Sequence, residues 1–518
     1  MYRTPSAADV SEVAERLGIT LTSDEAAVYQ RQLAIMIADF DEFLTERSAG
    51  RPPRYPGNRD VGYRPTAAED PYGAWMWKCS IPGAPTGLLA GKTVGYKDHI
   101  AVAGLPLTFG AAAMEGHIAD FDATIVSRAL EQGAEIIGKN VMNGLAGGFG
   151  FGGGYGDYGR PLNPHNTEHL TGGSSSGSAA ALAAGEVDIS YGGDQGGSIR
   201  IPASWSGIVG LKPTFGLVSH FGISFGSDQS IDYTGPMTRT VADCAVALEA
   251  VAGYDGLDPR QTKDVPDVYD ATSNLDDGVE GLRIGILTEG FARATPQVSA
   301  SVHAAVEVLA GLGAKISEIS IPEHQTISLA QKALSAEAAL AIRGTGIFGA
   351  FTRTFYPEDT ISAITRIWQH HNDQLDPRGA LTLLAGEYSR RYFSGRLYAR
   401  AQNVRPTYIG AYDRALAEVD LLIMPTTPTQ APAFEPIPDR LEALEFALHG
   451  ATMWDATVNT QPFDFTGHPA LSVPGEKQNG LPVGVQLVGP RFADDLLLRA
   501  GQAYAQAVDF DDIVAVAS

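Results

Sequence analysis

The sequence predicts an α/β protein, a sheet covered on its faces by helices, preceded by a helical amino-terminal domain. Three observations carry this expectation. From residue 88 onward, short β-prone runs alternate with helical patterns, and that alternation implies a sheet with helices packed against it. Glu280 to Leu287, a helix over Pro296 to Leu312 and a strand over Ala314 to Ile321 read as one βαβ unit. Residues 6 to 48, in contrast, read as helix without strand signals.

Within that first segment, Thr22 and Glu25 have the form of a capping box. Leu33, Met36, Ile37, Phe40 and Leu44 then recur at three- and four-residue steps, an amphipathic stripe that should pack on the main body or on a second copy of the chain. Residues 50 to 71 are rich in Pro, Arg, Gly and Asp and read as a linker. The expected domains are 1–85, helical with its linker, and 86–518. In the second, Thr124 to Gln132 reads as helix and Ala134 to Gly138 as a buried strand. Residues 323 to 450 are mostly helical by pattern and carry Phe348, Phe351, Phe355, Trp368, Tyr388, Tyr392 and Phe393. Asp420 to Met424 is an apolar strand ending in P-T-T-P, and the β texture resumes over residues 467 to 490. There is no internal repeat and no low-complexity tract.

The bulk numbers narrow the function classes. The chain has 518 residues, 44% hydrophobic and 19% charged, as expected of a globular protein with a large core. Its formal net charge of −23 repels phosphate backbones and anionic membranes, so neither nucleic acid nor membrane is an expected partner. Two cysteines, Cys79 and Cys244, cannot form a disulfide framework and show no metal-ligand spacing. The amino terminus lacks a signal-peptide core, and no stretch approaches a membrane span. The expected location is the cytoplasm.

The chemistry concentrates in residues 171 to 213, where two serine-bearing glycine-rich turns flank an Ala-rich segment of helical pattern. Ser174 lies in the first turn, G-G-S-S-S-G-S, and Ser198 in the second, G-G-D-Q-G-G-S-I-R-I-P. Acyl transfer needs a nucleophile and preorganised N–H donors for the oxyanion. Glycines just before a serine can turn backbone N–H groups inward, so Gln195, Gly196 and Gly197 are the candidate oxyanion hole, with the Ser198 N–H as a fourth donor. Alone, this turn reads first as a glycine turn capped by serine, common in any α/β protein. Upstream, Lys97 ends the apolar run T-V-G-Y-K. A lysine buried there loses its proton more easily and can act as a general base, whereas a solvated one cannot.

Taken together, G-Y-K-D, G-G-S-S-S-G-S and D-Q-G-G-S-I-R-I-P-A resemble the amidase signature family of serine hydrolases. The later G-I-V-G-L-K-P-T-F-G, D-Y-T-G-P-M-T-R-T-V-A-D, L-L-I-M-P-T-T-P and T-G-H-P-A-L-S-V-P are similar to it too. The resemblance runs from about residue 88 to the end. It implies the amidase signature fold, a central mixed twisted β-sheet covered by helices. It also implies a base at Lys97, a bridging Ser174 in a cis peptide and a nucleophile at Ser198, acting on a small-molecule amide without metal or cofactor. Asp194 and Arg200 should brace the second turn. Ser176 stands where the family has glycine, and Gln195 where it has threonine or a β-branched residue. Gln195 and the helical extension look most like the nitrile-pathway amidases of actinobacteria, which implies aliphatic or aromatic carboxamides as substrates and a homodimer joined through the extension. Gly147, Phe149 and Trp454 are candidate substrate contacts, with Phe151 beside them, and residues 323 to 465 should supply the acyl pocket.

Other readings compete. Gly173 to Gly177 matches G-x-S-x-G, the nucleophile elbow of α/β-hydrolase esterases, with Ser175 as nucleophile. That motif demands a preceding strand, and residues 163 to 171 are a poor one. Gly148, Gly150 and Gly153 match G-x-G-x-x-G inside a run so rich in glycine that the match is nearly automatic. His370 and His371 have no partner at metal spacing and read as surface. The A-type component of glutamyl-tRNA amidotransferase, which passes ammonia to a partner protein, carries the same motifs as the amidases.

Overall fold

The computed structural model describes residues 3–46, 50–147, 156–349, 352–436, 439–449 and 456–514. The chain separates into two compact units, Met1–Pro52 and Pro53–Ser518. The first is a pair of helices, α1 (Ala7–Arg16) and α2 (Ser23–Phe43). Each starts at a capping box, Ser6 with Asp9 and Thr22 with Glu25, so two otherwise orphaned N–H groups are satisfied at each end. Gly18, at φ +72° just past the end of α1, lets the chain turn back. Val10, Ala14 and Ala26 are buried, whereas Met36, Phe40 and Leu44 of the expected stripe are exposed on this chain.

The second unit is built on one twelve-stranded sheet. Its strands are β1 (Asp60–Tyr63), β2 (Trp75–Pro82), β3 (Thr93–Lys97), β4 (Glu135–Asn140), β5 (Ile189–Asp194) and β6 (Val209–Lys212). β7 (Tyr233–Thr238), β8 (Arg283–Leu287), β9 (Lys315–Ile319), β10 (Leu421–Pro425), β11 (Ala470–Gln478) and β12 (Leu481–Val488) complete it. The order across the sheet is β1-β2-β4-β3-β5-β7-β6-β11-β12-β10-β8-β9. β4, β3 and β5 run parallel, as do β10, β8 and β9, and antiparallel pairs join these groups into the expected mixed sheet. β1 and β2, both before residue 85, belong to this sheet. Four-residue β1 sits on the sheet edge, and its pairing with β2 supplies the order that its Pro- and Gly-rich surroundings hide.

Helices α3 (Thr124–Glu131), α4 (Ser176–Ala183), α5 (Arg200–Ser206), α6 (Val241–Val251) and α7 (Pro296–Gly311) pack around the sheet. The β8-α7-β9 unit closes with parallel pairing of Ile284 to Ile316 and Ile286 to Glu318. α7 carries Pro296 in its first turn, and Thr295 caps it by accepting from the Val298 N–H at 3.3 Å. Tyr96 on β3 stacks on Tyr191 on β5, ring centres 5.5 Å apart, inside a core that includes Ile136, Leu211, Val485 and Leu487. Each such buried aliphatic side chain contributes on the order of 1.5–3 kcal/mol. The remaining long helices are α8 (Ile327–Gly344), α9 (Glu358–His370), α10 (Pro377–Phe393), α11 (Arg396–Glu418), α12 (Arg440–His449) and one over Asp494–Ala507. No helix among the described residues is long and apolar enough to cross a membrane.

Candidate active site

Parallel pairing assembles the site. β3 and β5 are in register with Val94 opposite Ile189 and Tyr96 opposite Tyr191, so Lys97 and Asp194 end at the same sheet edge. Ligands of open α/β sheets gather outside such carboxyl ends. The turn before α4 brings Ser174 to that edge. Lys97 Nζ donates to Ser174 Oγ at 2.8 Å and to the Gly193 carbonyl at 3.3 Å, with both side chains fully buried. Lys139, equally buried one strand away, instead ion-pairs with Asp98 at 2.9 Å. Burial lowers the Lys97 pKa to about 7, although the negative charges of Asp232 and Asp194 oppose the shift. The Gly173–Ser174 peptide is cis.

The second turn is clamped from beneath. Asp194 accepts the N–H groups of Gly197 at 2.6 Å and Ile199 at 3.0 Å, and the Arg200 guanidinium through Nε at 3.0 Å and Nη2 at 2.9 Å. Arg200 also reaches Asp464 at 3.1 Å and Gln486 at 3.0 Å, all of them buried. Burial disfavours an ionised Asp194, but the Arg200 charge and these hydrogen bonds outweigh it and hold the carboxyl below the usual range. Burial and the neighbouring Asp194 push Asp464 well above that range. The turn's carbonyls are held as well: Gln331 Nε2 donates to the Gln195 oxygen at 2.8 Å, and Thr460 Oγ1 to the Gly196 oxygen at 2.6 Å. Gly197 has φ +127°, and a Cβ there would collide with Thr460 Oγ1.

These contacts narrow the expected oxyanion hole. The Gly197 N–H already points to Asp194, whereas those of Gln195, Gly196 and Ser198 have no protein acceptor among the described residues. Ser198 itself is half-buried and lines a cavity of about 270 Å³, together with Gln195, Gly196 and Gly147. The two serine turns touch directly, the Ser175 N–H donating to the Ser198 carbonyl at 3.3 Å. The Gln195 side chain turns aside to donate to Asp232 at 2.6 Å. Phe149, Phe151 and Trp454, together with the glycines of the G-x-G-x-x-G match, lie outside the described residues.

Ser175 is fully buried, donates to the Gly193 carbonyl at 3.3 Å and does not line the cavity. Only an isolated bridge, His169 to Ala433, precedes it where an elbow would need a strand. His370 is exposed, and no group of three or more His, Cys, Asp or Glu among the described residues is placed to hold a metal. Residues 323 to 465 supply much of the cavity wall; Phe351 lies outside the described residues, and of the six other aromatics singled out from the sequence only Trp368 lines it. Phe348 packs on Phe109, Phe355 packs on Phe121, and Tyr388, Tyr392 and Phe393 are exposed. Sequence reasoning missed His99, a buried cavity-lining residue whose ring nitrogens have no hydrogen-bond partner among the described residues. Burial, reinforced by Lys97, holds its pKa well below the usual histidine value. Its position two residues beyond Lys97, at the same sheet edge, was the available signal.

A fold and site of this kind belong to a known class. The Amidase family model matches residues 74–498. The chain is 37% identical over 498 residues to an enantioselective amidase of Rhodococcus rhodochrous, covering 95% of this chain and 93% of that protein. It is 37% identical over 433 residues to the A-type component of the glutamyl-tRNA(Gln) amidotransferase of Synechococcus sp. (strain RCC307), covering 82% of this chain and 84% of that one. Among solved structures it resembles the native peptide amidase of Stenotrophomonas maltophilia, with a TM-score of 0.66 and 28% identity over 83% of this chain and 84% of that chain. The chain belongs to the amidase family, whose enzymes hydrolyse C–N amide bonds.

Proposed function

We propose that the chain is a free-standing amidase that hydrolyses small aliphatic or aromatic carboxamides to carboxylate and ammonia. Neutral Lys97 draws a proton through Ser174 from Ser198, and Ser198 Oγ adds to the amide carbon. The N–H groups of Gly196 and Ser198 receive the developing oxyanion. The relay returns the proton to the leaving nitrogen, the C–N bond breaks and ammonia departs. Water then adds to the acyl-enzyme by the same relay, releasing the carboxylate and restoring Ser198. The observation that carries this reading is the 2.8 Å contact between Lys97 Nζ and Ser174 Oγ, one residue before Ser175, whose N–H donates to the Ser198 carbonyl at 3.3 Å. General-base assistance of this sort contributes typically about 10²–10⁴-fold. Ammonia release from benzamide or propionamide tests it: Ser198→Ala should release none and Lys97→Ala nearly none, and near-normal turnover in either overturns the assignment.

Similarity to the A-type components of amidotransferases favours a second reading, in which ammonia passes to a partner protein. The purified chain alone decides, since a free-standing amidase prefers benzamide or propionamide to glutamine. The reading also includes a cytoplasmic homodimer. Val13, Leu17, Met36, Phe40 and Phe43, apolar yet exposed on α1 and α2 or beside them, support the dimer. Light scattering on the full chain should give twice the monomer mass, and a monomer would remove that part of the reading.

A further inference from the structure

We propose that Asp232 is a positioning residue for amide hydrolysis at Ser198: its buried carboxylate ties the nucleophile turn to a second stretch of the cavity wall and serves as the counter-charge of Lys97. The proposal rests on the amidase reading, with Lys97 as base. Asp232 does not line the cavity, so it acts only through the groups it holds.

The sheet delivers Asp232 to the turn. β5 and β7 pair antiparallel, and the last pair is Asp194 with Tyr233. Gln195 and Asp232 are therefore the first residues past the pairing on their two segments. There Gln195 Nε2 donates to Asp232 Oδ1 at 2.6 Å. Asp232 Oδ2 accepts the N–H groups of Gly226 at 2.7 Å and Ser227 at 3.3 Å, and His220 Nε2 lies 3.1 Å from Oδ1. Three N–H donors and a ring nitrogen around one carboxylate suit its ionised, acceptor-only form. Gln195, Gly226 and Ser227 all line the cavity. Gly226 comes so close that a Cβ on it would lie 2.9 Å from Gln195 Oε1. The same cluster backs Phe225, a further cavity residue. The His220 ring stacks on it with centres 4.5 Å apart, and Arg260 lies 5.3 Å from its centre while donating to the Asp232 carbonyl at 2.7 Å. One carboxylate thus joins the turn that carries Ser198 to the 224–227 segment.

Its charge is also left for Lys97. Among the described residues no Lys or Arg pairs with the Asp232 carboxylate, whereas Asp194 pairs with Arg200 and Asp98 with Lys139, each at 2.9 Å. Of the negative charges acting on Lys97, that of Asp232 is the strongest and that of Asp194 the second, and both oppose the effect of burial. The other groups around the amine are Ser174 and the Gly193 carbonyl, which it touches, His99, held neutral by burial, and His220, bound to Asp232 itself. Without Asp232 the amine is a weaker base that stays uncharged further into acid.

The pH dependence of kcat/KM for benzamide separates this role from a merely structural one. In Asp232→Asn, which keeps the shape of the side chain and removes its charge, the inflection should lie at least about half a unit lower in pH than in the unmodified protein. Asp232→Glu, which keeps the charge, should leave the inflection in place. Gln195→Met cuts the tie and keeps the charge. Its plateau kcat/KM should fall roughly tenfold or more, with the inflection unmoved and the far-ultraviolet circular dichroism unchanged. An Asp232→Asn inflection equal to that of the unmodified protein, or an equal shift in Asp232→Glu or Gln195→Met, overturns the proposal. Near-normal turnover in Gln195→Met overturns it too, even where Asp232→Asn fails to fold. Ammonia release from benzamide by the unmodified protein is scored first. Its absence sinks the amidase reading, and its presence with an unmoved inflection in Asp232→Asn sinks only the role of Asp232.

Discussion

Lys97 Nζ lies 2.8 Å from Ser174 Oγ, both side chains are closed off from solvent, and the neighbouring lysine that does have a carboxylate partner is Lys139. A buried amine whose contacts are a hydroxyl and a carbonyl favours the uncharged form. That one relationship sets the pH behaviour of the protein.

Activity should follow the deprotonation of Lys97. With its pKa lowered to about 7 by burial, the amine is protonated in acid and cannot accept the Ser174 proton. Steady-state kcat/KM for benzamide should therefore rise with pH through about 7 and level off above it. A profile flat across that range would contradict the assignment.

The same shift makes a stability prediction with a definite sign. The folded value of about 7 lies below the ordinary 10.5, so between them the unfolded chain binds more protons at this position than the folded one. Stability contributed here rises with pH across that window and is at its lowest below it. Lys97→Met should be stabilising relative to the unmodified protein at pH near 6, the gain shrinking towards pH 10. Urea denaturation at the two pH values measures the difference.

Ser174→Ala removes the bridge while leaving Lys97 and Ser198 in place. We expect kcat to fall by roughly 10²–10⁴-fold with the melting temperature nearly unchanged. A loss of activity that tracks loss of folded protein by circular dichroism would mark Ser174 as structural instead.

Arg200 joins Asp194 and Asp464 in one buried cluster. Arg200→Met leaves a buried carboxylate without its counter-charge and should cost about 3–5 kcal/mol in urea unfolding, with activity falling as the turn loosens. A cost below about 1 kcal/mol, the range of an exposed pair, would mean the clamp is not structural.

How far the site was legible from residues alone depends on what each feature needs. Lys97 and the two serine turns were readable because chemistry selects the residue types and strand ends punctuate the pattern. The mixed sheet followed from strand and helix alternation together with motif resemblance. β1 and β2 were not readable, because β1 is a four-residue edge strand in a Pro- and Gly-rich stretch and β2 takes its place from pairing with distant β4. The Gly197 N–H was expected in the oxyanion hole, but only the folded turn shows Asp194 taking it. Trp368 could not be told from Tyr388 as a cavity residue, since both sit in helices and the side each presents depends on packing between α8, α9 and α10.

The central claim is that Ser198 becomes acylated. Acid-quenching the enzyme during benzamide turnover and mapping the modified peptide by mass spectrometry tests it directly. The account predicts one benzoyl group on Ser198, absent from the Ser198→Ala protein. A benzoyl group on Ser175, or ammonia release that continues in Ser198→Ala without any adduct, would contradict it.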